Sequence, residues 1–241
     1  MINYISSKQI FIINIFLILL FIVSYFGISI GGIDISLIDF IIGKTNDMQS
    51  TIMEKIRIPR VALSGVVGAS LAISGASLQG LFRNPLADPG LIGVSAGAAL
   101  GATLSIVIGK DIIPSFLYGP YLLPLSAIIG SILVIIFLFI ITQGFGREGV
   151  IYLLLGGIAV NAITGVGIGI LTYMSDDDEL RSLTFWTMGS FGSTTWKLIV
   201  PGISLIILTI FYSMRDARKL DILQLGEIEA SRLGVNIINL R

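Results

Sequence analysis

The chain contains no cysteine and no histidine among its 241 residues. Without cysteine it forms no disulfide and offers no thiol for redox chemistry, and without either residue it lacks the usual ligands of zinc and haem iron. Acid–base catalysis by imidazole is excluded for the same reason. We therefore expect no metal site and no bound cofactor, and any further chemistry depends on other side chains or on a partner protein.

Charged residues are also scarce, at 12% of the chain, whereas soluble domains average about 25%. Fifteen Lys and Arg residues balance fifteen Asp and Glu residues, so the net charge is zero and nothing favours binding to nucleic acid. Hydrophobic residues make up 54% of the chain, and the mean hydropathy is +0.96. This composition predicts an integral membrane protein.

Charge-free windows mark the predicted spans, because a membrane-spanning helix needs about 20 apolar residues. Six windows are long enough, and the first is too long for the apolar region of a signal peptide. In the fourth, prolines delay the helix until near Tyr121. The predicted fold is all-α, a bundle of six spanning helices in one transmembrane domain over residues 1–241. The windows lie between Lys8 and Asp34, Arg60 and Arg83, Asp88 and Lys110, Asp111 and Arg147, Glu148 and Asp176, and Lys197 and Arg215.

The distribution of basic residues predicts an inner N-terminus and an inner segment from residue 215 to 241. Arg57 and Arg60 then fall outside, against the usual positive-inside distribution, and need a separate reason. Between the fifth and sixth spans, Ser182–Trp196 is too short to cross and is rich in aromatic, glycine and hydroxyl residues. It fits a short re-entrant or interfacial helix, or equally an outer loop of aromatic-belt residues.

Small residues recur at every fourth position in three predicted spans. Helices in a bilayer associate through close backbone approach, which such spacing permits. We therefore predict that spans two, three and five pack centrally, while the Ile/Leu-rich spans one and four face lipid. Gln79 and Asn161 are expected to bond a neighbouring helix backbone, or less often the cargo. The small residues are Ser64, Gly68, Ala72, Ala76 and Gly80, then Gly93, Gly97 and Gly101, then Gly165 and Gly169.

The segment RNPLADPG, Arg83–Gly90, joins the second and third predicted spans. Asn84-Pro85 is a turn signal, Asp88 is suited to an N-cap, and Pro89 fits a first helical turn. The sequence therefore predicts a tight, rigid connection.

Catalytic motifs are lacking. Gly43–Thr45 resembles the end of a phosphate-binding loop, but the pattern requires glycine where Ile38 stands. No charge falls inside a predicted span, so no proton relay is expected. These absences favour a permease that is not an enzyme and is driven by a separate ATPase. A secondary transporter is the alternative.

Several long motifs resemble the FecCD/BtuC-like permeases, the membrane subunits of type II ABC importers for iron chelates, haem and vitamin B12. They are RIPRVALSGVVGASLAISGASLQGLFRNPLADPGLIGVSAGAALGA, LLLGGIAVNAITG, LRSLTFWTMGSFGSTTW and LQLGEIEASRLGV, which follow one another between residues 57 and 235. Two stretches, RNPLADPGLIGVSAGAALGA at Arg83–Ala102 and LTYMSDDDELRSLTFWTMGS at Leu171–Ser190, are most similar to the haemin branch. The resemblance implies a haemin importer, with siderophore or vitamin B12 as the alternative cargo.

The resemblance further implies a ten-helix subunit in the bacterial inner membrane. Two copies would form a homodimer above a cytoplasmic ATPase dimer, and a periplasmic or lipid-anchored binding protein would deliver the cargo. Only six predicted spans precede Arg241. The chain is therefore expected to be truncated at its C-terminus, and a non-transporting fragment is a further alternative.

Site residues also follow from the resemblance. Arg57 and Arg60 would dock the binding protein by pairing with its carboxylates. The coupling segment would contact the ATPase, the start of the fifth span would form the gate, and four glycines would serve helix packing. The coupling residues are Gly226, Glu227, Glu229, Arg232 and Gly234; the path and gate residues are Val150, Ile151 and Asn161; the packing residues are Gly68, Gly93, Gly97 and Gly101.

Overall fold

The computed structural model describes residues 6–112, 114, 119–142, 149–192 and 194–237, of which the side chains of residues 110, 111, 149 and 150 are outside the description. The described residues form helices and turns without a β-strand, so the all-α prediction is confirmed. The α-helices are α1 Ser7–Ser29, α2 Leu37–Ile42, α3 Asp47–Ile52, α4 Ile58–Phe82, α5 Val94–Val107, α6 Gly109–Ile112, α7 Leu122–Thr142, α8 Gly149–Met174, α9 Asp177–Met188, α10 Trp196–Met214, α11 Ala217–Leu223 and α12 Glu227–Arg232.

The chain forms two compact units. The first unit consists of Met1–Val67 and Phe191–Ile203, and the second consists of Gly68–Ser190 and Ser204–Arg241. Helices α4 and α10 each contribute residues to both units. The single transmembrane domain predicted from the sequence stays a prediction.

Five helical stretches among the described residues are long and apolar enough to cross a membrane: Ser7–Ser29, Asp47–Phe82, Leu122–Thr142, Ile151–Met174 and Trp196–Met214. They correspond to five of the six predicted spans. The third window differs, because it holds a 3₁₀ turn, Pro89–Ile92, and then only the 14 residues of α5. The six-span prediction is therefore corrected to five long helices and one short one. Gly93 causes the break, since its φ of 83° interrupts the helical path.

The second span is longer than predicted, because α3, a π-helical turn at Met53–Arg57 and α4 form one continuous helix of 36 residues. Asn46 begins it with a capping box, in which Gln49 returns a hydrogen bond to the cap backbone. The charged residues between Asp47 and Arg60 had ended the apolar window in the sequence. They do not end the helix, because Glu, Lys and Arg have good helix propensity.

In the second unit, α7 packs closely on α5. A β-carbon at Gly97 would lie 2.7 Å from the carbonyl oxygen of Gly130, and one at Gly101 would overlap the Ser126 carbonyl. The prediction that the fourth span only faces lipid is therefore wrong, because one of its faces contacts α5. Its other face remains exposed, with Phe139 and Ile140 as examples. Exposure of α1, none of whose residues is buried, agrees with a lipid-facing first span.

Only part of the predicted small-residue packing occurs. Gly93, Gly97 and Gly101 lie close to α7 or α8, as a packing role requires, and that role stays a prediction. A β-carbon at Gly68 would meet no described atom within 4 Å, and the same holds for Gly165 and Gly169. Among the described residues, Gly68 has no close packing partner, and its packing role stays a prediction.

Candidate functional site

Arg57 lies at the end of the π-helical turn, and its side chain is buried. Its guanidinium group donates from Nη1 to the carbonyl oxygens of Ile28, at 2.9 Å, and Ser29, at 2.7 Å, and from Nη2 to that of Ile33. The last carbonyls of a helix lack partners within it and carry partial negative charge. Arg57 thus caps the C-terminus of α1. Its burial in these contacts does not favour the docking role, which stays a prediction.

Arg60 is exposed in the same unit. Its Nε donates to the carbonyl of Phe191 at 3.1 Å, and its Nη2 donates to that of Gly192 at 3.2 Å. The indole nitrogen of Trp196 donates to the Glu54 carbonyl at 2.8 Å. These bonds hold the segment before α10 against the π-helical turn and the start of α4. Arg60 is therefore the one of the two arginines whose surface position suits docking, although its docking role too is untested.

The predicted coupling segment adopts the expected local structure. Gly226, with φ of 103°, and Gly234, with φ of 83°, bracket the short helix α12. Leu223, Ala230 and Val235 are buried together and fix this helix against α11. The glycines are needed because these φ values disfavour any residue with a β-carbon.

The acidic residues of α12 point in different directions. Glu229 and Arg232 form an exposed ion pair of 2.6 Å and are accessible to a partner. Glu227 is only 14% exposed, and its Oε1 lies 3.8 Å from Nη2 of Arg83. Nearby, Gln224 donates from Nε2 to the carbonyl of Gly80 at 2.8 Å. Two polar contacts thus join the coupling segment to the end of α4.

Arg83 itself has a φ of 50°, in the left-handed region. The amide of Arg83 donates to the Gly80 carbonyl and the amide of Asn84 donates to that of Gln79, which together form a Schellman motif at the end of α4. Glycine usually occupies the left-handed position of this motif because it has no β-carbon. Arginine at this position instead supplies the side chain that lies near Glu227.

The connection Arg83–Ile92, which we call the hairpin, has the rigid structure that the sequence predicts. The side chain of Asn84 accepts from the amide of Leu86 at 2.9 Å, and Asp88 accepts from the amide of Gly90 at 2.7 Å. Pro89 opens the 3₁₀ turn that follows. The turn and cap predictions for these residues are confirmed.

Asn161 on α8 donates from Nδ2 to the carbonyl of Gly90 at 3.0 Å. This confirms the expectation that it bonds a neighbouring backbone, and its role in the path stays a prediction. The Gly90 carbonyl also accepts from the amide of Gly93 within the 3₁₀ turn, so Asn161 adds a second donor to it and ties α8 to the hairpin. Gly157 permits the contact, since a β-carbon there would overlap the Leu91 carbonyl.

The other predicted path and gate residues are not brought together with Asn161 in a single site. Ile151 is exposed near the start of α8. Val150 lies in the same helix, and its side chain is outside the described part of the structure. Gln79 is exposed on α4.

A cavity of about 620 Å³ lies between α5, α7 and α8. Its wall is mostly aliphatic, with Leu100, Leu133 and Phe137 among the lining residues. The lining hydroxyls of Ser126 and Thr164 donate to carbonyls of their own helices, so they add little polarity. Over the described part of the chain, no cluster of acidic residues could hold a metal ion. The cavity therefore offers apolar contact and no acid–base chemistry.

Sequence reasoning missed Arg83 and Gln224. Gln224 is separated from Gly80 by 144 positions, and no local pattern marks such a pair. The signal for Arg83 was its position directly before Asn84-Pro85, where a left-handed residue commonly ends a helix.

Among known proteins, the haemin transport system permease protein HmuU of Yersinia pestis is 46% identical over 193 residues, which cover 80% of this chain and 57% of the relative. The vitamin B12 import permease BtuC of Klebsiella pneumoniae is 36% identical, with coverages of 75% and 52%. The molybdate import permease MolB of Haemophilus influenzae is 35% identical, with coverages of 80% and 56%. The chain thus spans little more than half the length of these relatives.

A solved structure described as an inward-facing conformation of a metal-chelate type ABC transporter superposes with a TM-score of 0.81. It is 30% identical and covers 95% of this chain and 69% of its own. Together with the apolar helices, these similarities identify a polytopic protein of the inner membrane. The FecCD transport family matches residues 16–241, and on that match the chain belongs to this family.

Proposed function

We propose that the chain is the membrane-spanning permease of a binding-protein-dependent ABC importer and that its cargo is an iron chelate, namely haemin. The observation that carries this proposal is the 46% identity with the haemin permease, against 36% and 35% for the vitamin B12 and molybdate relatives. The same ranking favours haemin over cobalamin, and a siderophore is the alternative that the transport test below addresses.

In this proposal ATP is hydrolysed by a separate ATPase dimer, and the permease forms and breaks no covalent bond. The lack of a phosphate-binding loop in the sequence supports this division of labour. The exposed pair Glu229–Arg232 on α12 offers the ATPase a polar surface. A binding protein would deliver cargo on the opposite side of the membrane, where Arg60 supplies an exposed guanidinium group suited to carboxylates. Two copies of the permease would enclose the path.

The cargo would pass by alternating access. Haemin is a large, flat and mostly apolar molecule, and weak contacts with aliphatic walls let it leave as readily as it enters. Buried charges would hold a chelate too firmly, and none of the residues lining the described cavity is ionisable. Closure of the ATPase dimer around ATP would displace α12 and change which side of the path is open.

The test is transport by the permease purified with its ATPase and reconstituted in proteoliposomes. We expect ATP-dependent haemin uptake when the binding protein is loaded with haemin, and less than a tenth of that rate with ferric siderophore, cobalamin or molybdate. Faster uptake of another cargo would overturn the substrate assignment. Uptake that follows an ion gradient without ATP would identify a secondary transporter, and no uptake of any cargo would indicate a non-transporting chain.

A further inference from the structure

The hairpin Arg83–Ile92 is held at both of its ends by side chains from other elements of the second unit. At its first end, Glu227 lies 3.8 Å from Arg83, while Gln224 donates to the carbonyl of Gly80 just before it. We call these two contacts the clamp. The clamp joins the segment proposed to bind the ATPase to the end of α4.

At its second end, the hairpin contacts α8. Asn161 donates to the Gly90 carbonyl at 3.0 Å, and the backbone of Leu91 and Ile92 lies so close to Gly157 that a β-carbon would not fit. Close backbone contact and a side-chain hydrogen bond leave little freedom for one element to move without the other.

Between its ends the hairpin is short and internally bonded. Two prolines restrict its φ angles, and the amide of Ala87 donates to the Asn84 carbonyl at 3.1 Å. Asn84 and Asp88 each bond a backbone amide two positions ahead. A segment held in this way shifts as a body rather than bending in its middle.

We propose that the hairpin transmits the movement of α12 to α8, with Arg83, Gln224 and Asn161 as positioning residues. The inference rests on the proposed function, since it takes α12 as the ATPase contact. The left-handed backbone of Arg83 is consistent with it, because arginine there brings a guanidinium group to 3.8 Å from Glu227 at a conformation that glycine adopts more easily. This path of non-covalent contacts from α12 to α8 is separate from the continuous backbone that connects α12 to α8 through α11 and α10.

The first experiment compares haemin transported per ATP hydrolysed in the reconstituted complex. We expect Arg83→Gln, Gln224→Ala and Asn161→Ala each to lower this ratio at least fivefold. Arg181→Gln is the matched control, because it makes the same chemical change on the exposed surface of α9, away from the hairpin. We expect its ratio to stay within twofold of the parent, and equal ratios for all four variants would overturn the proposal.

A second variant separates transmission from stability. Arg83→Gly removes the side chain but relieves the left-handed backbone, so its melting temperature should equal or exceed that of the parent while its transport ratio falls. The double variant Arg83→Glu with Glu227→Arg exchanges the two charges. It should recover at least half of the haemin transported per ATP that Arg83→Gln loses. A stable Arg83→Gly protein with a normal ratio would overturn the proposal even if the other variants misfold.

A third measurement does not depend on the cargo. The chain has no cysteine, so Ile151→Cys provides a single thiol on α8 whose labelling rate can be compared with and without ATP. We expect ATP to change this rate in the parent but not in Arg83→Gly, while Ser231→Cys on α12 responds in both. If the parent carries no haemin, the proposed function fails and this labelling still decides the role of the hairpin. Transmission through the hairpin would be contradicted if ATP still changed the labelling rate of Ile151→Cys when Arg83→Gly was also present. It would also be contradicted if ATP did not change that rate when Arg83 was intact.

Discussion

A guanidinium group that donates to three carbonyl oxygens is difficult to replace, because no other side chain offers so many donors in a fixed plane. Arg57 makes such contacts with Ile28, Ser29 and Ile33 at the end of α1. Arg60, three residues later, contacts only two carbonyls from an exposed position. The two arginines belong to one motif, but they donate to different carbonyl oxygens. Loss of Arg57 would leave three carbonyls without this donor, and loss of Arg60 would leave two.

We predict that Arg57→Ala lowers the free energy of unfolding by about 1–3 kcal/mol, because partly buried carbonyl oxygens lose their donor. Arg60→Ala is the matched control and should cost less than about 1 kcal/mol, since water can replace an exposed donor. Arg57→Lys should recover only part of the loss, because an ammonium group lacks the planar fork. The check is the thermal midpoint of the detergent-solubilised proteins. A midpoint for Arg57→Ala at or above that of Arg60→Ala would contradict the cap.

The sequence identified both arginines as unusual, since each lies on the side where basic residues are rare. It could not distinguish them. Their difference depends on where the end of α1 lies in space, and the carbonyls involved are 24 to 29 positions earlier in the chain. A single sequence contains no signal for such a pairing.

Among the described helices, α5 and α7 are in direct backbone contact. Gly97 and Gly130 face each other, and in each case an added β-carbon would strike the carbonyl of the other residue. Backbone contact of this kind gains dispersion energy and loses it when a larger residue separates the helices. The pair also forms part of the wall of the apolar cavity.

We predict that Gly130→Ala destabilises the protein by about 1–3 kcal/mol, because the methyl group forces apart helices that are already in contact. Gly68→Ala should be neutral or slightly stabilising, because a β-carbon there meets no described atom within 4 Å and alanine favours a helix over glycine. Denaturant titration of both variants in the same detergent provides the comparison. Equal midpoints would show that α5 and α7 are not in backbone contact.

The spacing of small residues correctly predicted that α5 packs closely and that α8 is one of its partners, but it did not reveal α7 as the other partner. Ile and Leu dominate α7 and suggested a lipid-facing helix. Ser126 and Gly130 lie four positions apart within that apolar run. This spacing of small residues indicated close packing, but the Ile/Leu-rich composition of the helix outweighed it in our interpretation. The shortness of α5 was also missed, because a charge-free window does not reveal where a left-handed glycine interrupts the helix.

In the whole molecule, composition and motifs were sufficient to predict a helical membrane permease. The contacts that bring distant segments together were not predictable, since they depend on how helices assemble rather than on any local pattern. The position of the coupling segment beside the hairpin, and of the end of α5 beside Leu171 and Leu183, belongs to this class.

Those neighbours predict the sidedness of the chain. Arg83 lies beside Glu227, so Leu86→Cys and Ser231→Cys should both react with a membrane-impermeant thiol reagent only after the cells are permeabilised. Val107 packs with Leu171 and Leu183, so Ile112→Cys and Asp177→Cys should react in intact cells. The experiment asks whether α5 carries the chain across despite its 14 residues. Labelling of Leu86→Cys and Ile112→Cys on the same side would show that it does not.

Contact with the ATPase is a separate prediction for the assembled complex. Ser231→Cys lies on the exposed side of α12 and should form a cross-link with a cysteine scanned along the ATPase cleft. Asp177→Cys, on the opposite side of the membrane by the preceding argument, is the control and should form none. An assembled complex without any adduct at Ser231→Cys would count against α12 as the coupling helix.

The π-helical turn at Met53–Arg57 has one consequence for how related chains can differ in length. Such a turn contains one residue more than an α-helical turn, and each residue rotates a helix by about 100°. Deleting a single residue there would restore a regular α-helix. It would also rotate α3 about the helix axis relative to Arg57. Relatives with a one-residue gap at this point should therefore place the residues of α3 on a different side of the helix relative to Arg57.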